Sequence, residues 1–252
     1  MIRRLAAVVA AAGILLSGAA APAGAATRPR DIHAIKGIWD SPEHDQWVFC
    51  HDLANYRGDV DYAVGDPPRW MWPAYVKRLD SCWGRKHIVH IRYNHEINGN
   101  WYPWSSKTPA QFRRDFTDFR AYVKRHSKHA ISINFGLALN YTTHRYRAQD
   151  YWTPAADYVA VSFYETDWIR GMPWPRFLVS EAGPATWSAY AARNHRRLAY
   201  GEWGAVNNTW QINMRRWGAA HGVYYGAYLF CGGDVERDPD CGRWSAYLPP
   251  LR

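Results

Sequence analysis

Residues 87–104 read His-Ile-Val-His-Ile-Arg-Tyr-Asn-His-Glu-Ile-Asn-Gly-Asn-Trp-Tyr-Pro-Trp. The opening run, His87 to Ile91, is short, apolar and β-branched, the pattern of a buried strand. The residues after it are unsuited to a core: Arg92, Asn94, His95, Glu96, Asn98 and Trp101 crowd the strand exit. A strand that ends in such a cluster is delivering side chains to a site rather than filling space.

The same layout recurs. Arg197-Leu-Ala-Tyr-Gly-Glu-Trp-Gly204 is a second apolar run, and it delivers Glu202 at its end. Strand candidates fall at Ala34–Trp39, Trp47–Cys50, Tyr62–Gly65, His87–Tyr93, Ile131–Leu139, Tyr158–Tyr164, Leu198–Glu202 and Val223–Phe230. Helical patterns lie between many of them. Strands and helices in alternation predict a parallel α/β architecture, and eight such strands predict a (β/α)8 TIM barrel. No linker, repeat or long charge block interrupts residues 27–252, so they read as one domain.

Two helices are marked by their ends. Thr108-Pro109-Ala110-Gln111 supplies a cap, a first-turn proline and a capping-box glutamine. Phe112, Phe116, Phe119 and Val123 then recur at helical spacing, with Arg113, Arg120 and Lys124 on the other side. The second helix spans Thr209 to His221, with Trp210, Met214 and Trp217 on one face and Gly222 as the stop. These aromatic stripes read as core.

Residues 1–26 have Arg3 and Arg4, an apolar stretch from Leu5 to Leu16, and small residues ending in Ala23-Gly24-Ala25. That is the layout of a secretory signal peptide, and it predicts an exported protein. The stretch falls short of the roughly 20 residues that a membrane span needs. Export makes disulfides the expected state of Cys50, Cys82, Cys231 and Cys241. Of the three possible pairings, Cys231 with Cys241 is favoured by the short Gly/Asp/Pro-rich segment between them, leaving Cys50 for Cys82.

The whole chain carries a net charge of +9, which becomes +7 without Arg3 and Arg4. Its Lys and Arg are dispersed, with no run longer than a few residues and no reader motif, so nucleic acid is not an expected partner. His87 and His90 stand three apart on a strand and face opposite ways, which argues against a zinc site. With 15 Trp and 17 Tyr, some aromatic surface must be exposed, and exposed rings beside a cleft stack on sugars.

Glu96 ends the fourth strand candidate and Glu202 the seventh. Across the mouth of a barrel such strands face each other, so the two carboxylates converge. Two carboxylates about 5 to 5.5 Å apart are the equipment of a retaining glycosidase, one acting as acid/base and the other as nucleophile. Glu181, in Val179-Ser-Glu-Ala-Gly183, also ends an apolar run and competes with Glu202, although it reads more readily as a loop residue. Asn140 ends its own strand and is a candidate for the cleft.

Arg92 to Trp101, as Arg-x-x-His-Glu-x-Asn-Gly-x-Trp, resembles the acid/base signature of glycoside hydrolase family 26, best known for endo-β-1,4-mannanases. Gly201-Glu202-Trp203-Gly204 resembles the nucleophile strand of that family. The element order is similar from about residue 35 to 230, while motif-level likeness is confined to these blocks and Asp157–Tyr164. The resemblance implies Glu96 as acid/base and Glu202 as nucleophile. Arg92, His95, Trp101 and Tyr164 would be their partners, with Trp101 and Trp203 flooring the sugar subsites. It implies a polysaccharide substrate; no cofactor or metal is expected, and a monomer is the default expectation. The last strand ends in Tyr-Leu-Phe-Cys231, where the mannanases have a Trp, so β-1,3-xylan, mixed-linkage β-glucan and acidic exopolysaccharide stand as alternative substrates. A non-catalytic carbohydrate-binding protein on the same scaffold would not need both carboxylates. A charge-driven wall or nucleic-acid binder predicts steep salt dependence.

Overall fold

The computed structural model describes residues 31–40, 57–83, 85–141, 145–165, 169, 171–204, 207–230 and 243–245. The strands are β1 (Lys36–Asp40), β2 (Arg57–Val64), β3 (Arg85–Tyr93), β4 (Ile133–Asn140), β5 (Tyr158–Tyr164), β6 (Leu198–Gly204), β7 (Gly226–Phe230) and β8 (Arg243–Ser245). They form one sheet in sequence order. Six successive parallel pairings join β1 to β7. A parallel bridge between Ala34 and Gly226 brings the two ends of that series together, making a nearly closed barrel. The helices are α1 (Trp72–Ser81), α2 (Pro109–His126), α3 (Trp174–Val179), α4 (Pro184–Arg193) and α5 (Asn208–Ala220). The result is a single mixed α/β domain.

Two expectations change. The described parallel strands are fewer than eight, because β8 runs antiparallel to β7. A parallel return needs a crossover of about a dozen residues or more, usually helical. Residues 231–242, rich in Gly, Asp and Pro, have no helical pattern to supply one. In addition, β1 pairs directly with β2, so Glu96 comes just after the third strand of the sheet and Glu202 lies on the sixth. The spacing of three strands between them is retained. The Trp47–Cys50 candidate and the signal peptide lie outside the described residues, as do Cys50, Cys231 and Cys241. Cys82 is disulfide-bonded, to a partner outside them. No described helix is long and apolar enough to cross a membrane.

The α2 capping box forms as the sequence predicts, with Gln111 N donating to Thr108 Oγ1 at 3.3 Å and Thr108 N to Gln111 Oε1 at 2.8 Å. Phe112, Phe116, Phe119 and Val123 are all buried. Strand alternation explains where they pack. Val89, Ile91 and Tyr93 face outward into the helix layer, where Tyr93 stacks on Phe119 at 4.7 Å. His90 and Arg92 face inward. The barrel interior beside them is built from small or polar groups, including Ala160, Ala199, Ala227, Tyr158 and Tyr225. Gly136 belongs to this lining because the Tyr158 ring crosses over it, and a Cβ there would sit 2.4 Å from that ring.

Candidate active site

Glu96 owes its position to a tight turn at the exit of β3. Asn94 and Glu96 both have left-handed backbone, with φ of 50° and 51°. Asn tolerates that conformation, but for Glu it is strained and must be held from outside. The neighbouring strands hold it. His95 N donates to Val64 O at 3.2 Å, Asn94 N to Gly65 O at 3.3 Å, and Ile97 N to Ala138 O at 3.3 Å. Asn98 and Asn140 exchange two bonds, with Asn98 Nδ2 donating to Asn140 O at 2.9 Å and Asn140 N to Asn98 Oδ1 at 2.8 Å. Gly99 is required because the Trp101 ring passes over it, 2.6 Å from where a Cβ would be.

Glu202 reaches the same place by a different device. Val161 and Ser162 are adjacent on β5, yet they pair with Tyr200 and Glu202, leaving Gly201 as an extra residue in β6. This β-bulge shifts the alternation by one, so that Glu202 faces inward beside Ser162. Gly201 faces inward as well, and a Cβ there would meet Arg92 Cδ at 2.8 Å and Ala160 Cβ at 2.9 Å. Trp203 is consequently turned outward. It is fully buried and packs against Tyr200 and Trp210, with ring centroids 6.0 and 6.5 Å away. The expectation that Trp203 floors a subsite is therefore corrected: it is a core residue of the helix layer.

The two carboxylates meet at His95. Its Nε2 lies 3.3 Å from Glu202 Oε2 and 3.8 Å from Glu96 Oε2. The two oxygens are thus no more than about 7 Å apart, below most of the roughly 6.5–9.5 Å range of inverting glycosidases and compatible with the closer retaining spacing. Arg92 Nη1 lies 2.5 Å from His95 Nδ1. A guanidinium can only donate, so Nδ1 is the acceptor and the imidazole proton sits on Nε2, toward the carboxylates.

Their partners differ. Glu96 accepts from two neutral donors, Trp101 Nε1 at 2.8 Å and Asn140 Nδ2 at 2.7 Å. Glu202 accepts from the Tyr164 hydroxyl on Oε1 and has Arg92 Nη2 at 3.9 Å from Oε2. Burial pushes the Glu202 carboxyl up, but the His95 hydrogen bond, the Arg92 charge and the Tyr164 hydroxyl outweigh it and hold Glu202 below its ordinary value. The Tyr164 phenol is pushed well up, by burial first and then by the Glu202 and Glu96 charges, and stays a donor.

Trp101 is 44% exposed, with its indole N–H tied to Glu96. Glu181 is exposed in the turn between α3 and α4. No cluster of three or more His, Cys, Asp or Glu suited to a metal ion occurs among the described residues.

Sequence reading missed three groups. Tyr102 lies near enough to Glu96 and Glu202 that their charges, after burial, raise its phenol, and its ring is 5.7 Å from that of His95. Asp61, fully buried on β2, accepts from Arg92 Nε at 2.6 Å. Tyr225, just before β7, donates to the other Asp61 oxygen. The alternation of Asp59 and Asp61 with Val60 and Tyr62 was the one available signal, and it reads equally as a solvated strand face.

No family model matches the chain, and no curated protein matches it. Among solved structures it is similar to the YdhT protein from Bacillus subtilis, at 11% sequence identity and a TM-score of 0.49, over 80% of this chain and 82% of that one. Likeness of that degree carries no functional argument.

Proposed function

We propose that the chain is a secreted, retaining glycoside hydrolase of β-linked polysaccharide, with an endo-β-1,4-mannanase as the first reading and a family 26-like (β/α)8 barrel as its scaffold. The observation that carries this reading is the convergence of two carboxylates with unlike partners on one imidazole nitrogen, 3.3 Å from Glu202 and 3.8 Å from Glu96.

Glu202, favoured as an anion, is the nucleophile. It attacks the anomeric carbon as the glycosidic C–O bond breaks, while Glu96 passes its proton to the departing oxygen. The Glu96 carboxylate then takes a proton from water. That water attacks the anomeric carbon, releases the sugar and returns Glu202 to its free form. Tyr164, His95 and Arg92 keep Glu202 oriented and ionised between turnovers. Trp101 has two roles in this scheme: its N–H directs Glu96, and its partly exposed ring stacks on a sugar. Asn140 orients Glu96 from the opposite side.

The test is to incubate the mature protein and its Glu96→Ala and Glu202→Ala variants with mannan, glucomannan, mixed-linkage β-glucan, β-1,3-xylan and an acidic bacterial polysaccharide, measuring new reducing ends. The expected result is cleavage of one polymer, lost in both variants. Cleavage by neither the wild type nor the variants, with polymer still bound, would overturn hydrolysis in favour of carbohydrate binding.

A further inference from the structure

Beneath the two carboxylates a chain of buried polar groups runs down the barrel. Tyr225 donates to Asp61, Asp61 accepts from Arg92 at 2.6 Å, and Arg92 donates to His95 at 2.5 Å, whose Nε2 faces Glu202 at 3.3 Å. Tyr158 lies 3.1 Å from the Tyr225 hydroxyl. Because the single proton of Tyr225 is committed to Asp61, Tyr158 must be the donor to Tyr225. Asp61 and Arg92 are both buried, at 0% and 1% exposure. Such a pair costs desolvation and is weak as a source of stability. Its retention calls for another account.

The geometry points to Asp61, held by Tyr225, as a positioning residue that acts through Arg92 on His95 and Glu202. The proposal rests on reading Glu202 as the nucleophile. Arg92 occupies a fork between two anions. Nε is fastened to Asp61, Nη1 to His95, and Nη2 lies 3.9 Å from Glu202 with no hydrogen-bond partner of its own. Without Asp61 the guanidinium would be free to swing onto Glu202 as a direct ion pair. That would mask the attacking oxygen and release His95 Nδ1, which the Arg92 N–H now holds as an acceptor. Asp61 therefore does two things at a distance. It keeps Arg92 from pairing fully with the nucleophile, and it fixes the His95 tautomer.

The charged and titratable groups that bear on the outcome come from several elements. Facing Glu202 are Tyr164 from β5, Arg92 from β3, and His95 and Glu96 from the β3 exit, with Tyr102 in range of both carboxylates. Asp61 itself faces Arg92 and Tyr225, with Tyr158 one hydroxyl further on. Removing the Asp61 charge leaves Arg92 wholly available to Glu202, so the Glu202 anion gains stability and its titration moves to lower pH.

The experiment uses the full chain with 13C-carboxyl-labelled Glu and 15N-labelled His, in wild type, Asp61→Asn and Tyr225→Phe. The Glu202 and His95 signals are assigned from Glu202→Gln and His95→Ala spectra. Wild type is expected to show His95 protonated at Nε2 with Nδ1 bare. Asp61→Asn is expected to lower the Glu202 midpoint by about one pH unit, a tenfold change. Tyr225→Phe, which keeps the charge but loosens it and covers the case of an Asp61→Asn that does not fold, is expected to move it the same way by less. A purely structural Asp61 would reduce thermal stability and leave the midpoint fixed. Midpoints unmoved in the folded variants, or His95 protonated at Nδ1 in the wild type, would overturn the proposal. A shifted midpoint in a protein that cleaves no polysaccharide would sustain the relay and remove the hydrolase reading, whereas cleavage with a fixed midpoint would do the reverse.

Discussion

Replacing Arg92 with Leu is expected to be among the most destabilising single changes in the barrel interior. Asp61 would keep only the Tyr225 hydroxyl for its charge, and His95 Nδ1 would lose its donor. Breaking a buried pair from one side costs about 3 to 5 kcal/mol. At roughly 2 to 4 °C per kcal/mol for a chain of this size, the melting temperature should fall by about 6 to 20 °C at neutral pH. The double variant Asp61→Leu/Arg92→Leu leaves neither charge uncompensated, and Tyr225 keeps Tyr158 at 3.1 Å, so it should recover at least half of that loss. Burial raises the Asp61 carboxyl, and removing Arg92 removes the largest influence opposing it. With its folded value above the unfolded one, the folded state binds more protons, so the deficit of the single variant should shrink as the pH falls through that raised value. Circular dichroism melts of wild type, both single variants and the double variant at neutral and acid pH measure all of this. A coupling energy near zero, or a single variant as stable as the double, would refute the view of Asp61 and Arg92 as an ion pair.

On the proposed hydrolase reading, Tyr164→Phe removes one charge-assisted hydrogen bond from Glu202, which should raise the acid limb of the pH profile by about one unit and slow turnover about tenfold or more. A limb that stays in place would dissociate Tyr164 from the ionisation of Glu202. Trp203→Ala should cost about 3 to 5 kcal/mol in denaturant melts, while glycan affinity of the folded fraction is unchanged, since the ring is in the helix layer. Loss of affinity without loss of stability would return Trp203 to the cleft. Thr108→Ala should destabilise by about 1 kcal/mol through loss of the α2 cap, with Thr108→Ser restoring most of it.

The parts of the fold legible in the sequence are those fixed by local chemistry. The α2 helix announces itself at Thr108-Pro109 and Gln111, and β5 matches its apolar run at both ends. Glu96 and Glu202 stood out because polar residues at the end of an apolar strand have no core role. Trp203 is placed in the subsites by the resemblance alone; neighbouring strand residues face opposite ways, and the extra residue at Gly201 gives the inward side to Glu202 and the outward side to Trp203. Asp61 and Tyr225 were missed for a different reason. They lie 164 residues apart and become partners only when the two ends of the sheet approach each other. The antiparallel β8 depends on a connection whose geometry no periodicity encodes.

Gly201 sets the phase of everything after it in β6. A point substitution in this strand changes one side chain, but a one-residue deletion there would make Glu202 and Trp203 trade sides, driving an anion into the aromatic packing around Trp210 and a bulky indole into the cleft. Length, more than composition, is therefore the property of β6 that the site tolerates least. A sequence aligned to this chain with a gap at position 201 should be read as having a different mouth, even where the Glu-Trp-Gly letters that follow coincide.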